Sequence, residues 1–243
     1  GVEMRPLRGT PQSSVLGSAL TLLPDFWACN ARLWRDRLGQ ISLSTTTLFW
    51  GAGGNLKFIV LAWAAVALGY DTTQASALTG VVAIGTAAGA VLASMRMRLE
   101  VATKVIPLGI AMGLLLILMV FISNIWVAIP FLIVLGGLGG FLVVPMNALL
   151  QHRGHNLMGS GRSIAVQNFN EQAAILGLGA FYSLSLKLGL SVFGAITVFG
   201  VVVAGTMWLI RRWHCYNCRH HTEEIEHLLQ IARQGTRQPS KPL

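Results

Sequence analysis

Six apolar stretches of membrane-spanning length, parted by short polar gaps, lie between Leu38 and Ile210. They cover Ile41 to Leu68, Ala75 to Ser94, Val105 to Ile122, Trp126 to Leu150, Ile164 to Leu186 and Ser191 to Ile210. As helices rising about 1.5 Å per residue, each is long enough to cross about 30 Å of hydrocarbon. The pattern predicts an all-α membrane protein with six transmembrane helices at 41–210, a connector at 1–40 and a polar tail at 211–243. An even number of crossings puts both ends on one side.

Composition sharpens this reading. The 243 residues are 53% hydrophobic and only 11% charged, with a mean hydropathy of +0.62, whereas soluble domains carry about 25% charged residues. The net charge of +9 would suggest a polyanionic partner in a soluble protein, but its placement argues otherwise. Sixteen of the eighteen Lys and Arg fall in the two tails and in the second and fourth gaps. Only Lys187 falls at the opposite face, and Lys57 lies inside the first stretch. By the positive-inside rule both ends face the cytoplasm. The basic residues are scattered and have no aromatic platform between them, which speaks against nucleic acid.

The chain starts at Gly1, and the first residues show no charged segment leading to an apolar core and a small-residue cleavage site, so no secretory signal is expected here. Residues 1–40 contain Pro6, Pro11, Pro24 and the basic run Arg32-Leu-Trp-Arg-Asp-Arg37, a composition suited to a connector on an anionic leaflet. Val15 to Leu23 is too short to span and reads as an interfacial helix. Near the other end, Glu223 to Arg233 has the pattern of a short amphipathic helix with Ile225, Leu228, Leu229 and Ile231 on its apolar side.

Within the stretches, small residues mark where helices can approach one another. Gly51, Gly53 and Gly54 lie in the first, Gly80, Gly85 and Gly89 in the second, and Gly136, Gly137, Gly139 and Gly140 in the fourth. Close backbone packing is one reading; sliding or bending during alternating access, with helices ending near Pro130 or Pro145, is the other. The candidate gating and packing positions are Gly51, Gly54, Gly85, Gly89, Gly139, Pro145 and Asn147.

Two ions stand inside the apolar stretches, Lys57 and Glu171. A charge facing lipid at mid-depth costs about 2.5–3.5 kcal/mol on insertion scales, so each requires a partner or a wet cavity. Counted from the cytoplasmic ends of their helices, Lys57 lies on the order of 20 Å deep and Glu171 on the order of 10 Å, so direct pairing would need a stretched lysine or a helix shift. Around Glu171 runs Gln167-Asn-Phe-Asn-Glu-Gln172. Helical spacing puts Asn168, Glu171, Gln172 and Ile175 on one face and displaces Gln167 and Asn170 from its centre. These amides either bond neighbouring helices or line a cavity for substrate or proton. Lys57, Glu171, Asn168, Gln172 and Asn55 form the candidate binding set.

Other chemistry is sparse. All six histidines lie outside the apolar stretches, and no nucleophile and base converge, so no enzyme and no cofactor are expected. No glycine cluster is followed by the Lys-Ser or Lys-Thr of a P-loop. The pair Cys215 and Cys218, with His214, His220 and His221 nearby, lacks a second ligand pair at zinc-finger spacing, so no metal is expected. Cys29 is isolated, and cytoplasmic placement disfavours disulfides.

Four strings carry a resemblance: Thr47-Leu-Phe-Trp-Gly51, Gly54-Asn-Leu-Lys-Phe58, Gly139-Gly-Phe-Leu-Val-Val-Pro-Met-Asn-Ala-Leu-Leu-Gln151 and Ala165-Val-Gln-Asn-Phe-Asn-Glu171. Together they resemble bacterial lysophospholipid transporters of the major facilitator superfamily, from about Leu33 to Arg212, including a loop with His155, Gly159 and Gly161. The match is to the family's second half, helices seven to twelve. The resemblance implies a twelve-helix transporter of which this chain supplies the C-terminal half, with the N-terminal six-helix half as missing partner. It further implies inward movement of lysophosphatidylethanolamine and lysophosphatidylglycerol to the inner leaflet, for reacylation by a separate or fused acyltransferase/acyl-ACP synthetase.

Carried over by position, Lys57 matches a basic residue of the family's seventh helix and Glu171 an acidic residue of its eleventh. Lys57 would attract the lipid phosphate while the acyl chain stays in membrane lipid. Glu171 would bias hydration, bind an ethanolamine ammonium or hold Lys57 between cycles. The gap from Gly89 to Arg98 departs from the superfamily signature, with Ala93 at the acidic position; Arg96 and Arg98 then serve chiefly to fix topology. Two rival functions stand beside this one: a facilitator for a small soluble solute with Glu171 as proton-coupling carboxylate, and a non-transporting platform that recruits an acyltransferase.

Overall fold

The computed structural model describes residues 15–221, 223–225, 228 and 230, with side chains from Leu23 onward. Residues 1–14 of the expected connector and 231–243 of the expected tail lie outside the described residues. Seven α-helices follow one another: α1 Val15–Arg35, α2 Arg37–Leu68, α3 Thr72–Arg96, α4 Ile106–Met119, α5 Ile125–Met158, α6 Ser160–Lys187 and α7 Val192–His220. A 3-10 turn at Leu99–Val105 leads into α4. No strand occurs among the described residues.

Local signals set these boundaries. The Asp36 carboxylate accepts from the Gly39 amide at 2.7 Å and starts α2, which stops at Gly69 in the left-handed conformation at φ 67°. Asp71 and Gln74 form a reciprocal capping box on α3. Asn124 and Ser191 accept from the amides of Trp126 and Gly194 to begin α5 and α7. Contrary to the sequence expectation, α5 does not end near Pro130 or Pro145 but runs through both, with Pro145 buried; a proline in a packed membrane helix is tolerated where neighbours re-satisfy the freed backbone groups. Nor is there an extended loop around His155: α5 continues to Met158 and only Gly159, at φ 85°, separates it from α6.

Among the described residues, five helical segments are long and apolar enough to cross a membrane: Arg37–Leu68, Thr72–Arg96, Leu99–Met119, Ile125–Met158 and Val192–His220. The chain is therefore an all-α, multi-pass membrane protein. Helix α6 is not in this set; its first half carries Gln167-Asn-Phe-Asn-Glu-Gln172.

Three helix pairs build the bundle. A Cβ on Gly85 or Gly89 of α3 would collide with the carbonyl of Ile133 or Gly137 of α5, and one on Gly136 or Gly140 would collide with that of Val82 or Thr86. The four contacts rise together along both helices, so α3 and α5 are parallel and joined through two small-xxx-small stripes. Gly51 and Gly54 of α2 meet Ala174, Leu178 and Ile175 of α6 in the same way, and these helices are also parallel. Gly109 and Gly113 of α4 meet Met207 and Ala204 of α7, whose Gly200 meets Ile117, an antiparallel pair. The main core between them includes Trp63, Leu132, Leu135, Met119 and Phe199, all fully buried.

Helix α1 is longer than the short interfacial segment expected and lies against α6. Asn170 donates to Asn30 at 2.9 Å, Arg162 pairs with Asp25 at 3.1 Å, and the rings of Phe26, Trp27 and Phe169 meet edge to face. At the other terminus α7 overruns the expected end of the last stretch, Ile210, and reaches His220. Of the expected tail helix, Ile225 is buried and Leu228 half-buried against the main core, while Leu229 and Ile231 lie outside the described residues.

Candidate functional site

Lys57 projects from the middle of α2 into a cleft shared with α3. Gly53, Leu56, Lys57 and Val60 from α2, and Thr79, Val82 and Ala83 from α3, line a space of about 150 Å³. Three- and four-residue spacing brings each set to one face of its helix. The lining is apolar except for the Thr79 hydroxyl and the Lys57 ammonium. The ammonium lies 4.8 Å from the centroid of the Phe58 ring, and Lys57 has no ion-pair partner among the described residues. A ring face returns about 0.5–2 kcal/mol to a cation, less than the cost of about 2.5–3.5 kcal/mol for a charge at membrane depth. Lys57 is itself exposed, so water or an anion can reach its ammonium.

Glu171 lies elsewhere. It is buried and accepts from Gln167 Nε2 at 2.8 Å; the same nitrogen donates to Asn147 Oδ1 of α5 at 3.2 Å. The result is a short polar chain, Asn147, Gln167 and Glu171, across the α5–α6 contact. The contacts of Gly51 and Asn55 set the α2–α6 register so that Glu171 is level with the region of Leu48, roughly 13 Å along the axis from Lys57. The two ions of the sequence do not meet in this conformation.

The polar face of α6 also differs from expectation. Gln167, taken from spacing to be off-centre, is buried beside Glu171, whereas Asn168 and Gln172 are exposed. Asn170 turns to α1 and bonds Asn30. Asn55 is buried, and its Nδ2 donates to Gly51 O at 2.7 Å and Ile175 O at 3.0 Å, which places it in the α2–α6 contact. Gly139 faces the Phe49 ring at 3.0 Å from an added Cβ.

Three curated proteins named "Lysophospholipid transporter LplT" are similar to the chain. The one from Cronobacter sakazakii is 41% identical over 195 residues, covering 77% of this chain and 48% of that protein. The one from Pectobacterium carotovorum subsp. carotovorum is 42% identical over 168 residues, 69% and 41% of the two chains. The one from Escherichia coli O9:H4 is 38% identical over 192 residues, 77% and 48%. Over these residues the chain is similar to proteins named as lysophospholipid transporters. It spans about half the length of these curated relatives. No family model and no solved structure matches it.

Apart from Lys57 and Glu171 stands a pair that spacing along the sequence does not reveal. Arg153, near the end of α5, is buried and grips the Asp36 carboxylate with two hydrogen bonds, one of them from Nε to Oδ1 at 3.0 Å. Asp36 is also the cap of α2, so one carboxylate fixes both the start of α2 and the end of α5. Arg153 was counted as one more topology-setting charge; nothing in its spacing announces burial. At the α3–α4 gap, Ala93 is buried, Arg96 is exposed and Arg98 pairs with Glu100 at 3.7 Å. Cys218 Sγ lies 3.7 Å from His214 Nε2, and no group of three metal-ligating side chains gathers among the described residues.

Proposed function

We propose that this chain is the C-terminal six-helix half of a major-facilitator-type transporter that carries lysophospholipids from the outer to the inner leaflet of a bacterial inner membrane. On this reading α6 also crosses, as the fifth of six spans in chain order, and both ends of the chain face the cytoplasm. Similarity to proteins named as lysophospholipid transporters supports the cargo class. The observation that carries the mechanism is the Lys57 cleft: one ammonium without a carboxylate partner at the rim of an apolar space between α2 and α3. A lysophospholipid presents one anionic phosphate and one acyl chain, and the cleft offers a cation for the first and an apolar wall for the second.

Glu171 serves this transporter through the α5–α6 polar chain rather than by neutralising Lys57, since the two stand on different levels. Exposed Asn168 and Gln172 on α6 are left for the cavity formed with the N-terminal half. Reacylation of the delivered lipid falls to an acyltransferase/acyl-ACP synthetase. The test is inward movement of a fluorescent lysophosphatidylethanolamine in vesicles containing the intact transporter. Movement dependent on the protein supports the reading; no movement, with a soluble solute carried instead, replaces it with the small-solute facilitator.

A further inference from the structure

Helix α7 leaves its last apolar turn without a break and continues to His220. On this extension Trp208, Arg211, Arg212, Cys215, Tyr216 and Arg219 recur at three- and four-residue spacing and border one shallow depression of about 470 Å³. All six are exposed. Followed back along the helix, the same side carries exposed Val198 and Val201, so the stripe continues an exposed apolar side of α7.

No acid neutralises the stripe among the described residues. None of its three guanidinium groups is in an ion pair among the described residues. The acids next along the chain, Glu223 and Glu224, stand past it, and Glu224 is engaged by Arg37 at 3.6 Å and His221 at 4.0 Å. The first of these contacts also sets the segment just past α7 beside the start of α2. Arg212 is held over the Trp208 indole, 5.4 Å from the ring centroid, and Tyr216 stacks on His220 with centroids 4.0 Å apart. Tryptophan and tyrosine settle at the headgroup level of a bilayer. Guanidinium forks match phosphate oxygens bidentately.

We propose that this stripe is a binding site for the phosphodiester headgroup of an anionic phospholipid in the leaflet at that end of the bundle. The arginines take the phosphate, Trp208 and Tyr216 fix the depth, and the apolar side of α7 below receives the acyl chains. The site is separate from the Lys57 cleft and rests only on α7 crossing the membrane, not on what the protein transports. An acidic protein would not require the patch to be continuous with a lipid-facing wall.

The full-length protein, extracted from bilayers mixing phosphatidylglycerol and phosphatidylcholine, is examined by native mass spectrometry for retained lipid. Wild type is expected to keep phosphatidylglycerol in preference to phosphatidylcholine. R211Q/R212Q/R219Q is expected to lower that occupancy at least tenfold. R96Q/K104Q, which removes charges at the same end but off the stripe, is expected to leave it unchanged. R211K/R212K/R219K keeps charge and helix, so a severalfold fall there reports lost bidentate contacts and not a folding defect. Equal retention by wild type and the glutamine triple overturns the site, as does equal retention of both lipids. Displacement of phosphatidylglycerol by millimolar inorganic phosphate overturns it too, in favour of a free-anion site.

Discussion

The Asn55 amide donates across the α2–α6 contact to the carbonyl of Ile175 at 3.0 Å, one turn from where it also donates to Gly51. Gly51 and Gly54 admit α6 at the same place. This link fixes the register that keeps Glu171 and Lys57 on separate levels. Hydrogen bonds between membrane helices contribute on the order of 1 kcal/mol. Asn55→Ala is therefore expected to lower the stability of the detergent-solubilised transporter by about that much, read from its denaturation midpoint, while transport per folded molecule stays within about twofold of wild type.

The α3–α5 pair allows a sharper steric test. An alanine methyl at Gly89 would run into the Gly137 backbone, and a carbonyl cannot swing aside as a side chain can. Gly89→Ala should cost about 1–3 kcal/mol, in the range of overpacked cores. Gly80 lies on the same helix with nothing within 4 Å of an added Cβ, so Gly80→Ala should melt at or slightly above wild type. Equal loss in both variants would contradict the parallel packing described here.

Asp36 and Arg153 form a buried pair, and breaking one side leaves a charge without water. Arg153→Met should destabilise by about 3 kcal/mol or more, whereas the double variant Asp36→Asn/Arg153→Met should recover much of the loss. Denaturation midpoints of the two single variants, the double variant and wild type give the coupling directly.

Gln167 holds Glu171 and Asn147 through one amide nitrogen. Glu171→Gln retains an acceptor and should stay within about 0.5 kcal/mol of wild type, while Glu171→Leu removes it and should cost about 1–3 kcal/mol. A transport defect in Glu171→Gln at unchanged stability would then report a need for the carboxylate itself.

Much of this fold is legible in the sequence because lipid imposes length. The six apolar stretches coincide with α2 to α7, off by a few residues at most starts, since 18 or more apolar residues have few alternatives to a helix. The packing glycines also show, because Gly85-xxx-Gly89 and Gly136-xxx-Gly140 carry their spacing openly. The orientation of α6 does not. Gln167, Asn168, Asn170, Glu171 and Gln172 put amides or a carboxylate on every side of the helix, so periodicity alone selects the wrong neighbours for Glu171. Helix α1 is hidden for a similar reason: Pro24 and a mixed composition mask a helix whose contacts, Asn30 to Asn170 and Asp25 to Arg162, are all long-range. The burial of Arg153 depends on Asp36, 117 residues away.

The central claim is that Lys57 meets the lipid phosphate, and inward movement of labelled lysophosphatidylglycerol by the intact transporter tests it most directly when wild type, Lys57→Ala and Lys57→Arg are compared at equal protein levels. The account predicts at least a tenfold loss in Lys57→Ala and substantial recovery in Lys57→Arg, which restores a cation in the cleft. Movement by Lys57→Ala at the wild-type rate would contradict it.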